Sequence, residues 1–218
     1  MVTIFDLDYT IFNTKRFKEN LAEIFRMSTK DFNRSYWENF KAKGINYKLE
    51  KHLQILEDEE KINHRKAEKI REEFSGLLKE IDKYIFPEVE KVVKFFKHRG
   101  DKLVLASFGD LGWQELKINN LAVKKYFNQI VLEEGDKSKN EFFQSLKEGG
   151  EEISIINDNA KESLELKKEL GEKCDIYLIQ GPYSHNVEHD EKIHEDLTEL
   201  LPKEREKKRE KYRELQLR

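Results

Sequence analysis

Asp6 and Asp8 stand two residues apart at the end of a short apolar run, VTIFDLDYT, with Thr10 just beyond. In an extended strand residues i and i+2 face the same way, so both carboxylates emerge together where the strand leaves the core. Like charges raise each other's pKa and burial penalises both. Such a pair calls for a compensating group, either a divalent cation or a substrate that takes part in the chemistry. Three later apolar runs end in comparable fashion. LVLAS (103–107) closes on Ser107 and leads into Phe108, Gly109 and Asp110; the run at 129–132 leads to EEGDKSK, with Lys137 and Lys139; the run at 152–156 leads to Asn157, Asp158 and Asn159, with Glu162 one helical turn on. Taken singly these are ordinary residues, since a serine or aspartate after a strand also caps a helix and a loop lysine is normally solvated. Together, in this order, they put two acids, a hydroxyl, a lysine and a second acidic group at the ends of four successive strands.

The elements that must position these groups can be read from hydrophobic period. Between about residues 15 and 84 the pattern is helical throughout: Phe17, Leu21, Ile24 and Phe25 share one face, and Ser28 or Thr29 caps a second helix carrying Phe32, Tyr36, Trp37 and Phe40. Gly44 closes that helix, Leu49, Leu53 and Leu56 mark a third, and Ile62, Ile70, Phe74, Leu77 and Ile81 a fourth. Trp37, Tyr36 and Phe40 are expected in the core of this helical block, with a substrate-stacking wall as the alternative. From Pro87 the pattern alternates: a helix carrying Val89, Val92, Val93 and Phe96 ends at Gly100, then come strand 103–107, helix 111–120, strand 129–132, helix 139–147, strand 152–156, helix 160–170 and strand 175–179. Strands alternating with helices of about ten residues predict an α/β fold with a parallel sheet, in which ligands bind beyond the carboxyl ends of the strands. The strand at 2–5 belongs to this pattern, so the expected organisation is a core of 1–14 and 85–202, an inserted all-helical segment 15–84 and a charged tail 203–218. That tail reads as a solvated final helix, with a basic docking segment as the alternative.

Composition narrows the function classes. Of the 218 residues 37% are apolar, below the usual ~45–50%, and 39% are charged, which predicts one adequate core carrying thin, solvent-washed helices. A net charge of −3 gives no electrostatic reason to expect nucleic acid as a partner. The lone Cys174 excludes an internal disulfide framework and suits a reducing compartment. No apolar run approaches the ~20 residues of a membrane span, and the N-terminus lacks the basic region of a signal peptide. The expectation is a soluble cytoplasmic protein with no membrane partner. His185, His189 and His194 cluster in a polar, loop-like stretch with no matching cysteine and are not expected to hold a transition metal. His52, His64 and His98 lie in charged helical stretches and are expected at the surface.

The ordered set of strand ends resembles the haloacid dehalogenase-like superfamily. FDLDYT is similar to its first motif, LVLAS to its second, a lysine ahead of a helix to its third and IINDNAKE to its acidic fourth; GDLGWQELKINNLAVKKYF also resembles its phosphatase branch. The resemblance covers residues 1–14 and about 85–182, and the helical block matches in position and character. It implies a Rossmann-like sheet flanked by helices, with the inserted helices as a cap over the site. It further implies Mg2+-dependent hydrolysis of a small phosphorylated metabolite, with Asp6 as nucleophile forming an aspartyl-phosphate and Asp8 as general acid and base. Asp8 needs a raised pKa for the acid role, which a neighbouring carboxylate tends to supply.

On the same resemblance Asp6, the backbone carbonyl of Asp8, and Asp158 would hold the metal. Ser107 with the N–H groups of Phe108 and Gly109 would grip phosphoryl oxygens, Lys137 would neutralise charge, and Thr10 would fix the loop after the strand. Lys137 stands six residues before Phe143, the family's common spacing, which favours it over Lys139. Three positions depart from the pattern. Tyr9 stands where glycine is frequent and would narrow the leaving-group side. Asn157 replaces the commoner glycine or aspartate, and Glu162 replaces a final aspartate, its longer arm suiting a metal-bound water. An acid at position 8 disfavours dehalogenation. The competing expectations are a phosphomutase or phosphotransferase using the same nucleophile, and a non-catalytic binding protein. Neither the particular substrate nor the oligomeric state is legible.

Overall fold

The apolar runs become six strands of a single sheet in the computed structural model, which describes residues 1–133 and 141–202. Lys137, Lys139 and the 203–218 tail fall outside the described residues. The strands are β1 (Val2–Asp6), β2 (Lys102–Phe108), β3 (Gln129–Glu133), β4 (Ile153–Asn157), β5 (Cys174–Ile179) and β6 (Ile193–His194). Their order is β3-β2-β1-β4-β5-β6 and every pairing is parallel. Asp6 pairs with Ala106, one residue before Ser107, and Phe5 with Ile156, so β1, β2 and β4 end at nearly the same height. The chain builds outward from β1 to β3 and then returns to the other side of β1 for β4. The sheet direction therefore reverses beside β1, the place where open parallel sheets bind ligands.

Alternation along each strand supplies two buried faces. Val2, Ile4, Val104, Ala106, Ile153 and Ile155 pack on one side with Phe143 and Leu146 of α7 (Glu141–Gly149) and Leu166 and Leu170 of α8 (Ala160–Leu170). Phe5, Leu103, Leu105 and Ile156 pack on the other with Val92, Val93 and Phe96 of α5 (Val89–His98) and Ile118 of α6 (Leu111–Asn120). The fold is the expected α/β arrangement, a Rossmann-like sheet flanked by helices. The two-residue β6 is an addition, too short to leave a period in the sequence. No helix among the described residues is long and apolar enough to cross a membrane.

Four helices make up the inserted segment between β1 and α5: α1 (Thr14–Ile24), α2 (Thr29–Asn39), α3 (Leu49–Asp58) and α4 (His64–Lys79). The side chains of Asn13, Ser28 and Asn63 accept hydrogen bonds from the third N–H beyond them and start α1, α2 and α4. The chain enters and leaves this segment side by side: Asn13 N–H donates to the Tyr84 carbonyl at 2.7 Å and Phe86 N–H to the Ile11 carbonyl at 3.1 Å. The rings of Phe12, Phe17 and Tyr84 meet behind that junction, with centroids 5.3–5.8 Å apart.

Two expectations fail in these helices. His52 is fully buried, because it shares the α3 stripe of Leu49, Leu53 and Leu56 at helical spacing; its ring stacks on Phe25 at 4.9 Å and its Nε2 lies 2.9 Å from Ser35 Oγ. Trp37 is 58% exposed, outside the core that Phe40 enters, because it falls one residue off the stripe that Phe32 and Tyr36 define.

Candidate active site

The carboxyl ends of β1, β2 and β4 open into a cavity of about 230 Å³ whose floor includes Asp6, Asp8, Asn157, Asp158 and Glu162. Burial, then the charges of Glu162, Asp8 and Asp158, push the Asp6 carboxyl well above the usual carboxylate range. Asp158 is pushed up to about 7, chiefly by burial, with Asp8 and Glu162 adding to it. Asp158 Oδ2 is buried without a hydrogen-bond partner among the described residues. Room for this carboxylate comes from Gly181, where a Cβ would stand 2.6 Å from it. Thr10 Oγ1 accepts from the Asp158 N–H at 3.0 Å, which ties the loop after β1 to the end of β4 as expected. Asn159 caps α8 and donates through Nδ2 to Glu162 at 3.3 Å, and Asn157 Nδ2 reaches the same carboxylate at 3.4 Å.

The fit to a hard cation can be judged from these donors. Among the described residues no three His, Cys, Asp or Glu side chains converge as a cage. Mg2+ does not require one, because it keeps several waters and takes one or two carboxylates. Asp6 and Asp158, with the Asp8 carbonyl as third donor, fit that requirement, and among the described residues neither carboxyl is paired with a side-chain cation.

The β2 end supplies Ser107, which does not itself line the cavity and whose buried Oγ also has no hydrogen-bond partner among the described residues. Phe108 lines the cavity. The Gly109 N–H turns elsewhere and donates to the Glu133 carbonyl at 3.0 Å, so it continues the β2–β3 ladder in place of the expected turn toward a phosphate. The expected lysines of the β3 loop, Lys137 and Lys139, lie outside the described residues.

Asp8 differs from the expectation. Lys117 Nζ lies 2.6 and 2.7 Å from its two oxygens, Gln114 Nε2 donates to Oδ2 at 2.8 Å, and the Thr14 hydroxyl donates to Oδ1. Burial works to raise this carboxyl, but the Lys117 ammonium and then the Thr14 and Gln114 hydrogen bonds outweigh it and hold the pKa below the usual range. The neighbouring carboxylate therefore does not set the ionisation of Asp8. Lys117, only 4% exposed, is the functional residue that sequence reasoning missed. Its signal was a lysine between Leu116 and Ile118 one turn after Gln114, on a helix too short to expose every side.

The N-terminus of α6 also joins the site to the inserted helices. Asp110 caps α6 through the Trp113 N–H and accepts from the Tyr47 N–H at 2.9 and 3.0 Å and from the Tyr36 hydroxyl at 3.2 Å. Tyr47 stacks on Trp113 with centroids 3.9 Å apart and planes within 9°. Gly112 permits this approach, since a Cβ there would meet the Tyr47 carbonyl at 2.3 Å.

The family model for haloacid dehalogenase-like hydrolases matches residues 3–164, which takes in Asp6, Asp8, Ser107 and Asp158. The chain belongs to the haloacid dehalogenase-like hydrolases. Solved structures agree at the level of the fold. A protein classed as a haloacid dehalogenase-like hydrolase from Burkholderia xenovorans LB400 aligns over 93% of this chain and 98% of its own with a TM-score of 0.67 and 17% identity. YfnB from Bacillus subtilis, a HAD-hydrolase solved bound to magnesium, aligns over 91% and 96% with a TM-score of 0.56 and 15% identity. A protein described as a predicted phosphoglycolate phosphatase from Haemophilus somnus 129PT aligns over 92% and 96% with a TM-score of 0.55 and 12% identity. No match to a curated protein was found.

Proposed function

We propose that this haloacid dehalogenase-like hydrolase is a Mg2+-dependent phosphohydrolase that cleaves a small phosphate monoester through an aspartyl-phosphate. The observation that carries the reading is the pairing of two orphans on one rim. Ser107 Oγ, a donor suited to a phosphoryl oxygen, follows the Ala106 that pairs with Asp6, and Asp158 Oδ2, an acceptor suited to a cation, lies close enough to Asp6 to act on its charge; both atoms are buried without partners among the described residues. A buried polar atom left unpaired costs about 1–3 kcal/mol, and a phosphate with its cation would satisfy both.

In this reading an Asp6 oxygen attacks phosphorus as the bond from phosphorus to the leaving oxygen breaks, and Asp8 delivers a proton to that oxygen. Water then attacks the phosphorus of the aspartyl-phosphate as its bond to Asp6 breaks and Asp8 takes the water's proton, which frees the Asp6 carboxylate and releases inorganic phosphate. Asp6, Asp158 and the Asp8 carbonyl would hold Mg2+, which would supply positive charge to offset the repulsion between a carboxylate nucleophile and a phosphate. Ser107 orients the phosphoryl group, Glu162 orients water near the metal, and Lys137 is proposed to neutralise charge as it develops. Lys117 keeps Asp8 ionised when no substrate is present, which readies it as a base; for the acid role Asp8 must first gain a proton. The inserted helices are proposed to act as the cover that excludes bulk water.

The test is turnover of an aryl phosphate by purified protein. Activity is expected with Mg2+, none with EDTA, and none in Asp6→Asn. Retained activity in Asp6→Asn removes the nucleophile assignment. An aspartyl-phosphate that accumulates and turns over only when a sugar acceptor is added points instead to the phosphotransferase reading.

A further inference from the structure

The helix that leaves the site carries a charge that the chemistry above does not use. Thr14, Phe17, Lys18 and Leu21 of α1 all line the cavity and are spaced i, i+3, i+4 and i+7, one stripe of a helix. Three of the four are accounted for, Thr14 by its hydrogen bond to Asp8 and Phe17 and Leu21 by burial in the core. Lys18 is half-buried on that stripe and makes no hydrogen bond or ion pair with any described residue. Its ammonium lies close enough to Asp8 and Lys117 to feel both charges, and burial is the largest influence on it. Asp8 does not take it as a partner, because both Asp8 oxygens are already engaged by Lys117, Gln114 and Thr14. Phe32 of α2 adds an apolar wall to the same cavity, and Gln114 Oε1 is buried with no donor among the described residues.

An ammonium without a counter-ion in a half-dry cleft is a standing cost, and an anion brought by the ligand removes it. The transferring phosphoryl group has its own partners at Ser107 and the metal site, at the strand ends, whereas Lys18 belongs to the helical wall reached by way of Asp8. That is the leaving-group side of the proposed reaction. We propose that the leaving-group half of the cavity selects phosphomonoesters whose alcohol portion carries a second anionic group, such as a carboxylate, held by Lys18, with the body of that portion lying on Phe17, Leu21 and Phe32. The inference rests on the phosphohydrolase reading and specifies its substrate class.

Three esters separate the two ideas: phenyl phosphate, 3-carboxyphenyl phosphate and 4-carboxyphenyl phosphate, each assayed with saturating Mg2+ in the wild type, Lys18→Met and Lys18→Arg. A charge-assisted hydrogen bond favours at least one carboxylated ester by about tenfold in kcat/KM, mainly through KM. Lys18→Met should abolish that preference and Lys18→Arg should keep most of it. Lys18→Met removes an unpaired ammonium, so its melting temperature should equal or exceed that of the wild type, which separates lost recognition from lost folding. Equal kcat/KM for all three esters in the wild type, or an equal loss on all three in Lys18→Met, overturns the role of Lys18 and leaves the phosphohydrolase reading standing. No turnover of any ester by the wild type overturns that reading and this inference with it.

Discussion

Acidification should loosen the inserted helices through one residue, His52. Its imidazole is enclosed by Phe25, Phe32, Phe40 and Tyr47, with ring centroids 4.9–5.7 Å away. Ser35 Oγ lies 2.9 Å from one ring nitrogen and the Tyr47 hydroxyl 3.3 Å from the other. Burial drives its pKa down to about 4, with the Glu59 charge opposing only in part. The ring is therefore neutral in the fold, while in the unfolded chain it titrates near 6.5. Between those values the unfolded state binds more protons than the native one, so stability falls as pH falls. At ~1.4 kcal/mol per pH unit, a drop from pH 7.5 to pH 5 costs about 2 kcal/mol, and the full window down to pH 4 about 3 kcal/mol. The carboxyls raised by burial titrate with the opposite sign, so the effect must be isolated by difference. Urea unfolding of wild type and His52→Phe at pH 7.5 and 5.0 supplies it: the wild type should lose about 2 kcal/mol more than the variant over that interval. Equal losses would refute the reasoning. So would a wild-type His52 ring whose NMR shifts titrate with a midpoint near 6.5, a measurement that stands even if the variant folds poorly. The consequence reaches the active site, because Tyr47, which contacts His52, also donates its N–H to Asp110 at the start of α6.

Three further perturbations probe the site. Asp6→Asn should abolish turnover yet unfold at a higher temperature than the metal-free wild type at pH 7, because burial and three neighbouring carboxylates disfavour the Asp6 charge; Mg2+ should raise the melting temperature of the wild type alone. Lys117→Met strands the Asp8 carboxylate and should cost about 3 kcal/mol, the low end for a broken buried pair, since the Asp8 side chain is 24% exposed; an unchanged urea midpoint would contradict the pairing. Gly112→Ala places a methyl against the Tyr47 carbonyl and should cost about 1–3 kcal/mol, read as a lower urea midpoint together with a raised KM for an aryl phosphate.

What was legible follows from which interactions are local. β2 and β4 begin and end within a residue or so of the apolar runs that predicted them, because a strand buried on both faces must be apolar along its length; β3 and β5 match their runs as closely, although Ile130 on the edge strand β3 and Asp175 on β5 are exposed. Asp6, Ser107 and Asp158 were legible for the complementary reason: a polar residue is tolerated where the strand leaves the core. Strand order was not legible, since it depends on how each crossover helix packs. Lys117 and Asp8 are 109 residues apart, and nothing near either one announces the other. His52 was misjudged from its neighbours Lys51 and Glu50, although its own register on α3 placed it with the leucines. Trp37 was misjudged the other way, on residue type over register.

The same logic applies to the two acids at the end of β1. As residue types they are identical, and the backbone presents both at one strand end, so local sequence predicts one shared fate, mutual elevation of their pKa values. The tertiary surroundings divide them. Burial, then the charges of Glu162, Asp8 and Asp158, push Asp6 up, whereas at Asp8 burial is outweighed by Lys117, which holds it down. A nucleophile whose carboxylate is disfavoured until a cation arrives is active only when the metal site is filled, so on the proposed reading metal binding and nucleophile activation are one event. Asp8 has the opposite problem. It is stabilised as a carboxylate, and its use as an acid requires that its contact with Lys117 weaken as substrate enters. A substrate anion drawn to Lys18, close to both Asp8 and Lys117, would change the field at that contact. Recognition of the leaving group and protonation of its oxygen would then depend on neighbouring charges on one wall of the cavity.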